Sequence, residues 1–344
     1  MQFDKEILLS LGIHHKNIMF LIEKNLNSFS GTKELYFYID NYFKENNLTK
    51  AFPVGISINE FIAHDSYHEY EKTIFKKNDL IKVDIGIVQD GNIIDAARTF
   101  EYKDNINSPY INDCKDIVLE IENLSKELII SEKKINIQKL SKKIYELIIE
   151  KGYFALDFLG GHNIEFGKVH GKKLILNKPI EKLPQNCHSF INKDEFLSQG
   201  EMFAVEVFIP SKIISNLSST KLPFENGSMI QNIKKNITHF EIDRDILNNK
   251  SNLQYNLLED TDSFTLDDIN KTIDDLVNET KLLPFNQIIF KKYNNLIIKL
   301  LIEKKLIITH YPLEWMDYNK RKFKYIHYED CYLITNDDVI CITR

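Results

Sequence analysis

The chain has 344 residues, of which 43% are hydrophobic, so it can form one large or two modest domains around a substantial core. Its formal net charge of −6 lacks the positive field that binding to nucleic acid or to a membrane surface usually needs, and we expect neither partner. The four cysteines show no Cys-x-x-Cys spacing, and Asp4 and Lys5 precede the first apolar stretch, which is untypical of a signal peptide. We therefore expect a cytoplasmic protein without disulfides.

Helical and extended patterns alternate along the chain. Apolar residues recur at helical spacing over residues 1 to 48 and again over 112 to 152, where Gly152 stands at the position of a helix C-terminal cap. Residues 51 to 99 contain the turn pair Asp90-Gly91 and are typical of strands. These patterns predict a mixed helix and sheet protein.

The second half of the chain contains two further predicted sheet regions separated by a polar segment. The run FAVEVFI, Phe203 to Ile209, and the last forty residues are strongly β-prone. Residues 211 to 300 are rich in Asn, Lys, Asp and Ser and include an amphipathic run near their end. We predict that residues 211 to 300 form a mostly helical insertion.

The stretch KVDIGIVQDGNIIDAART, Lys82 to Thr99, is typical of a β-hairpin that holds two acids on one face. A type I′ turn at Asp90-Gly91 places Asp84 opposite Ala97 and Asp95 opposite Gly86. The two aspartates are then diagonal neighbours with roughly 7 to 8 Å between their backbones. Two carboxylates this close favour a bound cation, although solvent-facing strand residues would have the same pattern.

Other candidate metal ligands fall in segments that the sequence predicts to be extended. These residues are His64, His162, His170, Glu206 and Glu329. The even spacing of His162 and His170 places both on one face if their strand is unbroken. Each residue alone has a simpler interpretation, as a hydrogen-bonded histidine or as a glutamate on an edge strand that faces solvent. The residue types in combination suit a metal site better than any one of them does.

Four blocks of sequence, in order, resemble the type 2 methionine aminopeptidases of the creatinase-like, or pita-bread, metallopeptidases, and they are closest to the archaeal form. The blocks are AFPVGISINEFIAHDS, LIKVDIGIVQDGNIIDAARTF, GHNIEFGKVHGKK and EMFAVEVF. The resemblance implies an α+β pita-bread fold in which helices flank a curved antiparallel sheet with pseudo-twofold halves. It implies one catalytic domain over residues 1 to 344, with the helical segment 211 to 300 as the type 2 insertion.

The resemblance also implies a dinuclear metal centre. Asp84, Asp95, His162, Glu206 and Glu329 match the five ligands of the family. Asp95 and Glu329 would bridge two divalent ions, Asp84 would complete one site, and His162 with Glu206 would complete the other. This mixture of carboxylate and imidazole suits Co, Mn, Fe or Zn. In the family a metal-bridging water or hydroxide attacks the scissile carbonyl.

Further residues match substrate-handling positions of the family. His64 and His170 would position the substrate, and Glu206 would relay a proton to the leaving amine. The residues that would line the methionine pocket are Phe52, Gly55, Val169 and Tyr311. Thr99, on the acid face by strand parity, is expected to donate a hydrogen bond to a ligand carboxylate. The expected substrate is the initiator methionine of nascent polypeptides, with possible ribosome association, and the expected form is a monomer.

The terminal block departs from the type 2 pattern. Type 2 enzymes usually have Gln-Phe-Glu-His-Thr there, whereas this chain has His327-Tyr328-Glu329-Asp330-Cys331. The Glu-Asp pair is more similar to Xaa-Pro peptidases, so an Xaa-Pro aminopeptidase or dipeptidase is an alternative. Only about 50 residues precede Ala51, which argues against the extra N-terminal domain usual in that branch. A catalytically silent binding protein is a further alternative, against which the five retained ligands argue.

Overall fold

The structure is a computed structural model, which describes residues 2–67, 73–103, 108–156, 159–183, 194–211, 240–248, 264–309, 315–316 and 323–344. Its α-helices are α1 (Lys5–Asn25), α2 (Thr32–Glu45), α3 (Pro109–Glu132), α4 (Ile137–Glu150), α5 (Arg244–Asn248), α6 (Leu266–Thr280) and α7 (Asn295–Glu303). Short 3-10 helices occur at Leu26–Ser28, Ile180–Lys182 and Gln287–Lys292. None of the helices in these described residues is long and apolar enough to cross a membrane.

The strands of the first half are β1 (Thr49–Lys50), β2 (Gly55–Ile58), β3 (Phe61–Ala63), β4 (Leu80–Gln89), β5 (Asn92–Glu101), β6 (Lys134–Asn136), β7 (Gly160–Ile164) and β8 (Leu174–Leu176). Those of the second half are β9 (Phe196–Ser198), β10 (Met202–Pro210), β11 (Phe240–Ile242), β12 (Ile307–Thr309), β13 (Trp315–Met316), β14 (Tyr325–Ile334) and β15 (Val339–Cys341). All of their pairings are antiparallel.

The hairpin of β4 and β5 has the predicted turn and register. Asp90 and Gly91 have φ angles of 49° and 79°, as a type I′ turn requires. Gln89 pairs with Asn92, so Asp84 lies opposite Ala97 and Asp95 lies opposite Gly86. The face of the hairpin opposite the two aspartates is apolar and fully buried, and it consists of Ile81, Val83, Ile85, Ile87, Ile94 and Ala96. The register prediction is therefore confirmed.

Two antiparallel sheets form the framework of the larger part of the chain. One has the order β1-β4-β2 with β5 paired to β4, and the other has the order β15-β14-β10-β7-β8. Helix α1 packs against β4 and β5, and α3 packs against β10 and β14. A continuous apolar core joins α3 and α4 to the second sheet. Each sheet thus has a helix against one face, which leaves its other face free to carry polar groups.

Helix α1 has an N-cap at Asp4. The carboxylate of Asp4 accepts hydrogen bonds from the backbone N–H groups of Glu6 and Ile7, at 2.9 and 3.2 Å. This N-cap satisfies donors that have no partner inside the helix. The two predicted helical regions, 1 to 48 and 112 to 152, are confirmed as α1 with α2 and as α3 with α4.

The chain divides into two compact units. The first comprises residues 1–232 and 314–344, and the second comprises residues 233–313. Within the described part of the second unit, α6 and α7 share an apolar core with the two-stranded sheet of β11 and β12. The mostly helical insertion over residues 211 to 300 stays a prediction, because part of that range lies outside the described residues.

Candidate metal centre

Five strands bring the predicted ligands together. Asp84 on β4 and Asp95 on β5 come from the first sheet. His162 on β7, Glu206 on β10 and Glu329 on β14 come from the second. Glu206 is the direct cross-strand partner of Glu329. Like charges in that arrangement destabilise a sheet, so the two strands need a compensating positive charge or a proton.

The ligand atoms form two overlapping clusters. One consists of Asp95, His162 and Glu329, and the other consists of Asp84, His327 and Glu329. Within each cluster the potential ligand atoms lie within 4.8 Å of one another, and Glu329 belongs to both. Nε2 of His162 lies 3.6 Å from Oδ2 of Asp95 and 3.4 Å from Oε1 of Glu206. A shared carboxylate between two clusters is the arrangement expected for a pair of ions.

His327 is a member of this centre that the sequence interpretation did not include. Its Nε2 lies 3.5 Å from Oε2 of Glu206 and 3.5 Å from Oε2 of Glu329. His327 and Glu329 are two positions apart on β14, so they share a face of the strand. That parity was a signal in the sequence that could have identified His327 once Glu329 had been recognised.

Several ligand atoms are buried without a conventional partner. Among the described residues, Oδ1 of Asp84, Oδ1 of Asp95, Oε1 of Glu329 and Nε2 of His327 have no hydrogen-bond partner. Such atoms carry a large desolvation penalty unless a ligand compensates for it. The donor set of carboxylates and imidazoles matches what Mn, Co, Fe and Zn accept, so these residues fit divalent ions.

A buried lysine on the same hairpin face does not take the place of such an ion. Lys82 lies two residues before Asp84, but its Nζ donates to the backbone carbonyls of Asn59 and Tyr325, at 3.1 and 3.2 Å. Its ammonium group is therefore committed to main-chain oxygens.

Burial sets the protonation tendencies of the centre. It raises the pKa of Asp84, of Glu206 and of Glu329 well above the ordinary carboxyl value, and the neighbouring carboxylates raise each pKa further. Burial lowers the pKa of His327 well below its ordinary value, with further lowering by the positive charges of nearby groups such as Lys82. A neutral imidazole with a free ring nitrogen can coordinate a metal.

The two predicted substrate-positioning histidines lie beside the cluster, but the backbone that carries each of them differs from the prediction. Strand β7 ends at Ile164, and a turn with reciprocal backbone hydrogen bonds between Glu165 and Lys168 follows it. His162 and His170 therefore do not share an unbroken strand. The turn folds the chain back instead, and the two rings meet at a centroid distance of 4.7 Å.

His64 does not lie in an extended segment as predicted. Strand β3 ends at Ala63, and His64 has a left-handed backbone with φ of 64°. Non-glycine residues rarely adopt that conformation, and they concentrate at functional sites. Strand β3, which His64 follows directly, packs against β14, the strand that carries His327 and Glu329.

Two of the predicted pocket residues, Phe52 and Gly55, lie next to the strands that carry Asp84 and Asp95. Gly86, opposite Asp95, is covered by the ring of Phe52, since a Cβ at position 86 would lie 2.2 Å from Cε1 of that ring. Gly55 pairs with Asp84, and a Cβ there would lie 2.9 Å from the Cβ of Asp84.

The other two predicted pocket positions are less informative. Val169 is fully buried. Tyr311 lies outside the described residues.

The predicted role of Thr99 is wrong. Its hydroxyl donates to the backbone carbonyl of His327 at 2.8 Å and accepts from the N–H of the same residue at 2.9 Å. A hydroxyl has one proton, so this donation leaves none for a ligand carboxylate. Thr99 instead ties β5 to β14 at the level of His327.

Asp330 lies on the opposite face of β14 from Glu329. It forms an ion pair with Arg98 on β5, with 2.5 Å between Nη2 and Oδ1. Arg98 also donates to the backbone carbonyl of Glu329 and lies over the ring of Tyr328 at 4.2 Å. The unusual Glu-Asp pair thus has a structural explanation, because its aspartate connects the two sheets behind the ligands.

Comparisons with known proteins show similarity to methionine aminopeptidases in sequence. No protein-family model matches the sequence. A methionine aminopeptidase of Thermococcus onnurineus is 30% identical over 161 residues, which are 46% of this chain and 48% of that protein. Methionine aminopeptidase 2 of Candida dubliniensis is 30% identical over 182 residues, which are 49% of this chain and 37% of that protein. The matched region is thus about half or less of the length of these relatives.

Solved structures match over nearly the whole chain. Methionine aminopeptidase from Rickettsia prowazekii superposes with a TM-score of 0.59 and 13% identity, covering 100% of this chain and 99% of that one. A thermophilic Arx1 superposes with a TM-score of 0.65 and 12% identity, covering 99% of this chain and 91% of that one. A prolidase from Pyrococcus horikoshii superposes with a TM-score of 0.51 and 12% identity, covering 100% of this chain and 63% of that one. The chain therefore has the pita-bread fold, as the sequence blocks predicted.

Proposed function

We propose that this chain is a metal-dependent aminopeptidase of the type 2 methionine aminopeptidase kind, which removes the initiator methionine from nascent polypeptides. The observation that carries the proposal is the pair of buried ligand clusters that share Glu329. The names of the relatives, methionine aminopeptidases from archaea and from a yeast, support the choice of substrate.

The proposed ligands are Asp84, Asp95, His162, Glu206 and Glu329. Asp95 and Glu329 would be shared between two ions, which agrees with the presence of Glu329 in both clusters. Divalent ions bound there supply an acidified water as nucleophile and a positive charge that polarises the scissile carbonyl. Co, Mn, Fe and Zn are the candidates that suit these ligands.

Glu206 is the proposed general base. Its side chain is 14% exposed, unlike the more deeply buried Glu329, so substrate and solvent can reach it. Burial raises the pKa of its carboxyl group, which makes it a better proton acceptor once it is ionised. It would take a proton from the attacking water and deliver that proton to the leaving amine.

His64 and His170 would orient the scissile peptide. The ring of His170 packs against that of His162, so its position depends on a ligand. The left-handed backbone at His64 sets the direction in which its side chain leaves the main chain. Both imidazoles can donate a hydrogen bond to a carbonyl oxygen, and a positioned donor there stabilises charge that develops during attack.

Phe52, Gly55, Val169 and Tyr311 are the proposed walls of the methionine pocket. An apolar slot distinguishes side chains that differ by a methylene by only about 1 to 3 kcal/mol. We therefore expect a preference for methionine that is clear but incomplete.

The Xaa-Pro alternative has less support. It drew on the Glu-Asp pair, but Asp330 points away from the ligand clusters and is occupied by Arg98. The Glu-Asp sequence pair therefore does not indicate an Xaa-Pro substrate.

A peptide assay tests the proposal. The metal-free protein is reloaded separately with Mn, Co, Fe or Zn and given Met-Ala-Ser or a peptide that begins Ala-Pro. We expect release of methionine from Met-Ala-Ser with at least one metal and little release from the second peptide. Cleavage of the proline peptide alone would instead indicate an Xaa-Pro peptidase, and no cleavage with any metal would contradict an enzymatic function.

A further inference from the structure

We propose that His327 is an additional metal ligand, which supplies a nitrogen to the site formed by Asp84 and Glu329. The inference rests on the proposed function, because it assumes that the ligand clusters hold divalent ions. It concerns a residue that stands where the type 2 pattern has glutamine, so it goes beyond the five matched ligands.

The side chain of His327 is directed into the cluster by its surroundings. Its ring stacks on the ring of Phe208, its cross-strand partner, with 4.1 Å between centroids and 17° between planes. Its main chain is held on both sides by the hydroxyl of Thr99. A ring fixed by stacking and by backbone hydrogen bonds loses little further entropy on coordination, which favours binding.

The distances agree with coordination. Nε2 of His327 and Oε2 of Glu329 are 3.5 Å apart. Two ligand atoms that are each about 2.1 Å from a tetrahedral ion are separated by roughly 3.4 Å. Asp84 completes a group of three whose ligand atoms lie within 4.8 Å of one another. The side chain of His327 is only 2% exposed, and its Nε2 has no hydrogen-bond partner among the described residues.

The extra nitrogen changes the chemistry of that site. Without His327, the site of Asp84 would have only carboxylate oxygens from Asp84, Asp95 and Glu329. All-oxygen sites suit Mg and Mn, whereas imidazole nitrogen favours Co, Zn and Fe. With His327, both proposed sites combine carboxylates with one imidazole, and we expect a preference for Co over Mn at both.

The test is cobalt and manganese binding to the metal-free full-length protein and to the variant His327→Gln. Isothermal titration gives the affinity of each binding step, and visible absorption reports the coordination of Co. Glutamine can still donate a hydrogen bond to a carboxylate but is a weak ligand. We expect one Co-binding step to weaken by about 10- to 100-fold, the scale at which even outer hydrogen-bond partners affect metal affinity. The Co absorption band should change, and the affinity for Mn should fall less than the affinity for Co.

Two controls make the result specific. His14→Gln removes a partly exposed histidine of α1 that contacts Tyr42, and it should leave both binding steps unchanged. Asp84→Asn should weaken the same step as His327→Gln, since both residues belong to one cluster. The melting temperature of each metal-free variant shows whether it has folded.

The outcomes separate the two proposals. If the wild-type protein cleaves Met-Ala-Ser and His327→Gln keeps both Co affinities and the same absorption, His327 is a hydrogen-bond donor and the inference is wrong while the proposed function stands. If the wild-type protein binds no metal, the inference and the metal-dependent function both fail. If the wild-type protein binds metal but does not cleave the peptide, loss of one Co-binding step in His327→Gln still supports His327 as a metal ligand, and only the proposed function fails.

Discussion

Asp95 occupies a position at which replacement of one carboxylate oxygen by an amide nitrogen should remove nearly all activity. Its carboxylate lies in one cluster with His162 and Glu329, and it is diagonal to Asp84 across the hairpin. Asp95→Asn keeps the size of the side chain but removes the negative charge that a shared ligand provides. We expect kcat/KM for Met-Ala-Ser to fall by at least about 100-fold and metal affinity to weaken, because even outer partners of ligands contribute about 10- to 100-fold.

The same hairpin provides a matched control for this variant. Asp90 is exposed in the type I′ turn at a φ of 49°, a conformation that asparagine also adopts readily. Asp90→Asn should therefore leave activity and metal content within about twofold, because a surface substitution away from buried or strained features usually has only a small effect. Full activity in Asp95→Asn would show that the ligand assignment is wrong.

His15 gives the protein a pH-dependent stability. Burial, aided by the charge of Arg98, lowers the pKa of His15 to about 3, and its Nε2 lies 3.0 Å from the carbonyl oxygen of Ala96. The unfolded chain takes up this proton near pH 6.5 and the folded protein does not. The contribution of His15 to stability is therefore complete above pH 6.5 and is lost as pH falls from 6.5 towards 3.

Urea unfolding at pH 7.5 and pH 5 tests this prediction. Between pH 7.5 and pH 5, the free energy of unfolding should fall by about 2 kcal/mol more in the wild-type protein than in His15→Gln. Each unit of pKa difference between the folded and unfolded states corresponds to about 1.4 kcal/mol. His15→Phe also removes the hydrogen bond, so it should be less stable at both pH values but show the same shallow pH dependence as the glutamine variant. Parallel curves for all three proteins would contradict the prediction.

The contact between β5 and β14 includes a buried ion pair. The side chain of Asp330 is fully buried and that of Arg98 is 14% exposed. Asp330 also accepts a hydrogen bond from the hydroxyl of Thr343 at 3.0 Å. Asp330→Asn leaves a guanidinium group buried without its counter-charge, and we expect the free energy of unfolding to fall by about 3 to 5 kcal/mol.

An exposed ion pair provides the comparison for Asp330→Asn. Lys133 and Asp337 are 66% and 80% exposed in their side chains, with 2.9 Å between the charged atoms. Asp337→Asn should reduce the free energy of unfolding by no more than about 1 kcal/mol. Equal losses in the two variants, measured by urea unfolding, would show that burial does not govern the strength of the Arg98 pair.

The elements also show why part of the fold was predictable. The hairpin register follows from Asp90-Gly91, because a type I′ turn determines which residues face each other, and only local sequence is needed. The failed predictions depend on contacts between distant segments. Thr99 meets His327 across 228 positions of sequence, and no periodicity reports such a contact.

Local breaks in the strands were the second source of error. The even spacing of His162 and His170 predicts a shared face only for an unbroken strand, and the turn after Ile164 removes that condition. His64 lies one residue beyond its strand, in a backbone conformation that the residue type alone does not indicate. His327 was overlooked because the family pattern has glutamine at its position, although its parity with Glu329 was visible.

The proposed centre connects the two sheets. Asp84 and Asp95 come from the first sheet, and His162, Glu206 and Glu329 come from the second. Ions that bind between them act only on the folded chain, because the unfolded chain separates the two sets of ligands. Metal binding should therefore stabilise the fold, by roughly 2.7 kcal/mol per site at a free metal concentration of 100 times Kd.

Thermal unfolding of the metal-free protein, with Mn or Co added and then removed by EDTA, measures this stabilisation. We expect Tm to rise by several degrees with metal and to return when EDTA is added. Glu329→Gln should lose most of the rise, because Glu329 belongs to both clusters, whereas Asp337→Asn should keep it. An undiminished rise in Glu329→Gln would place the stabilising ions elsewhere in the chain, and the link between the two sheets would then depend on protein contacts such as Arg98 with Asp330.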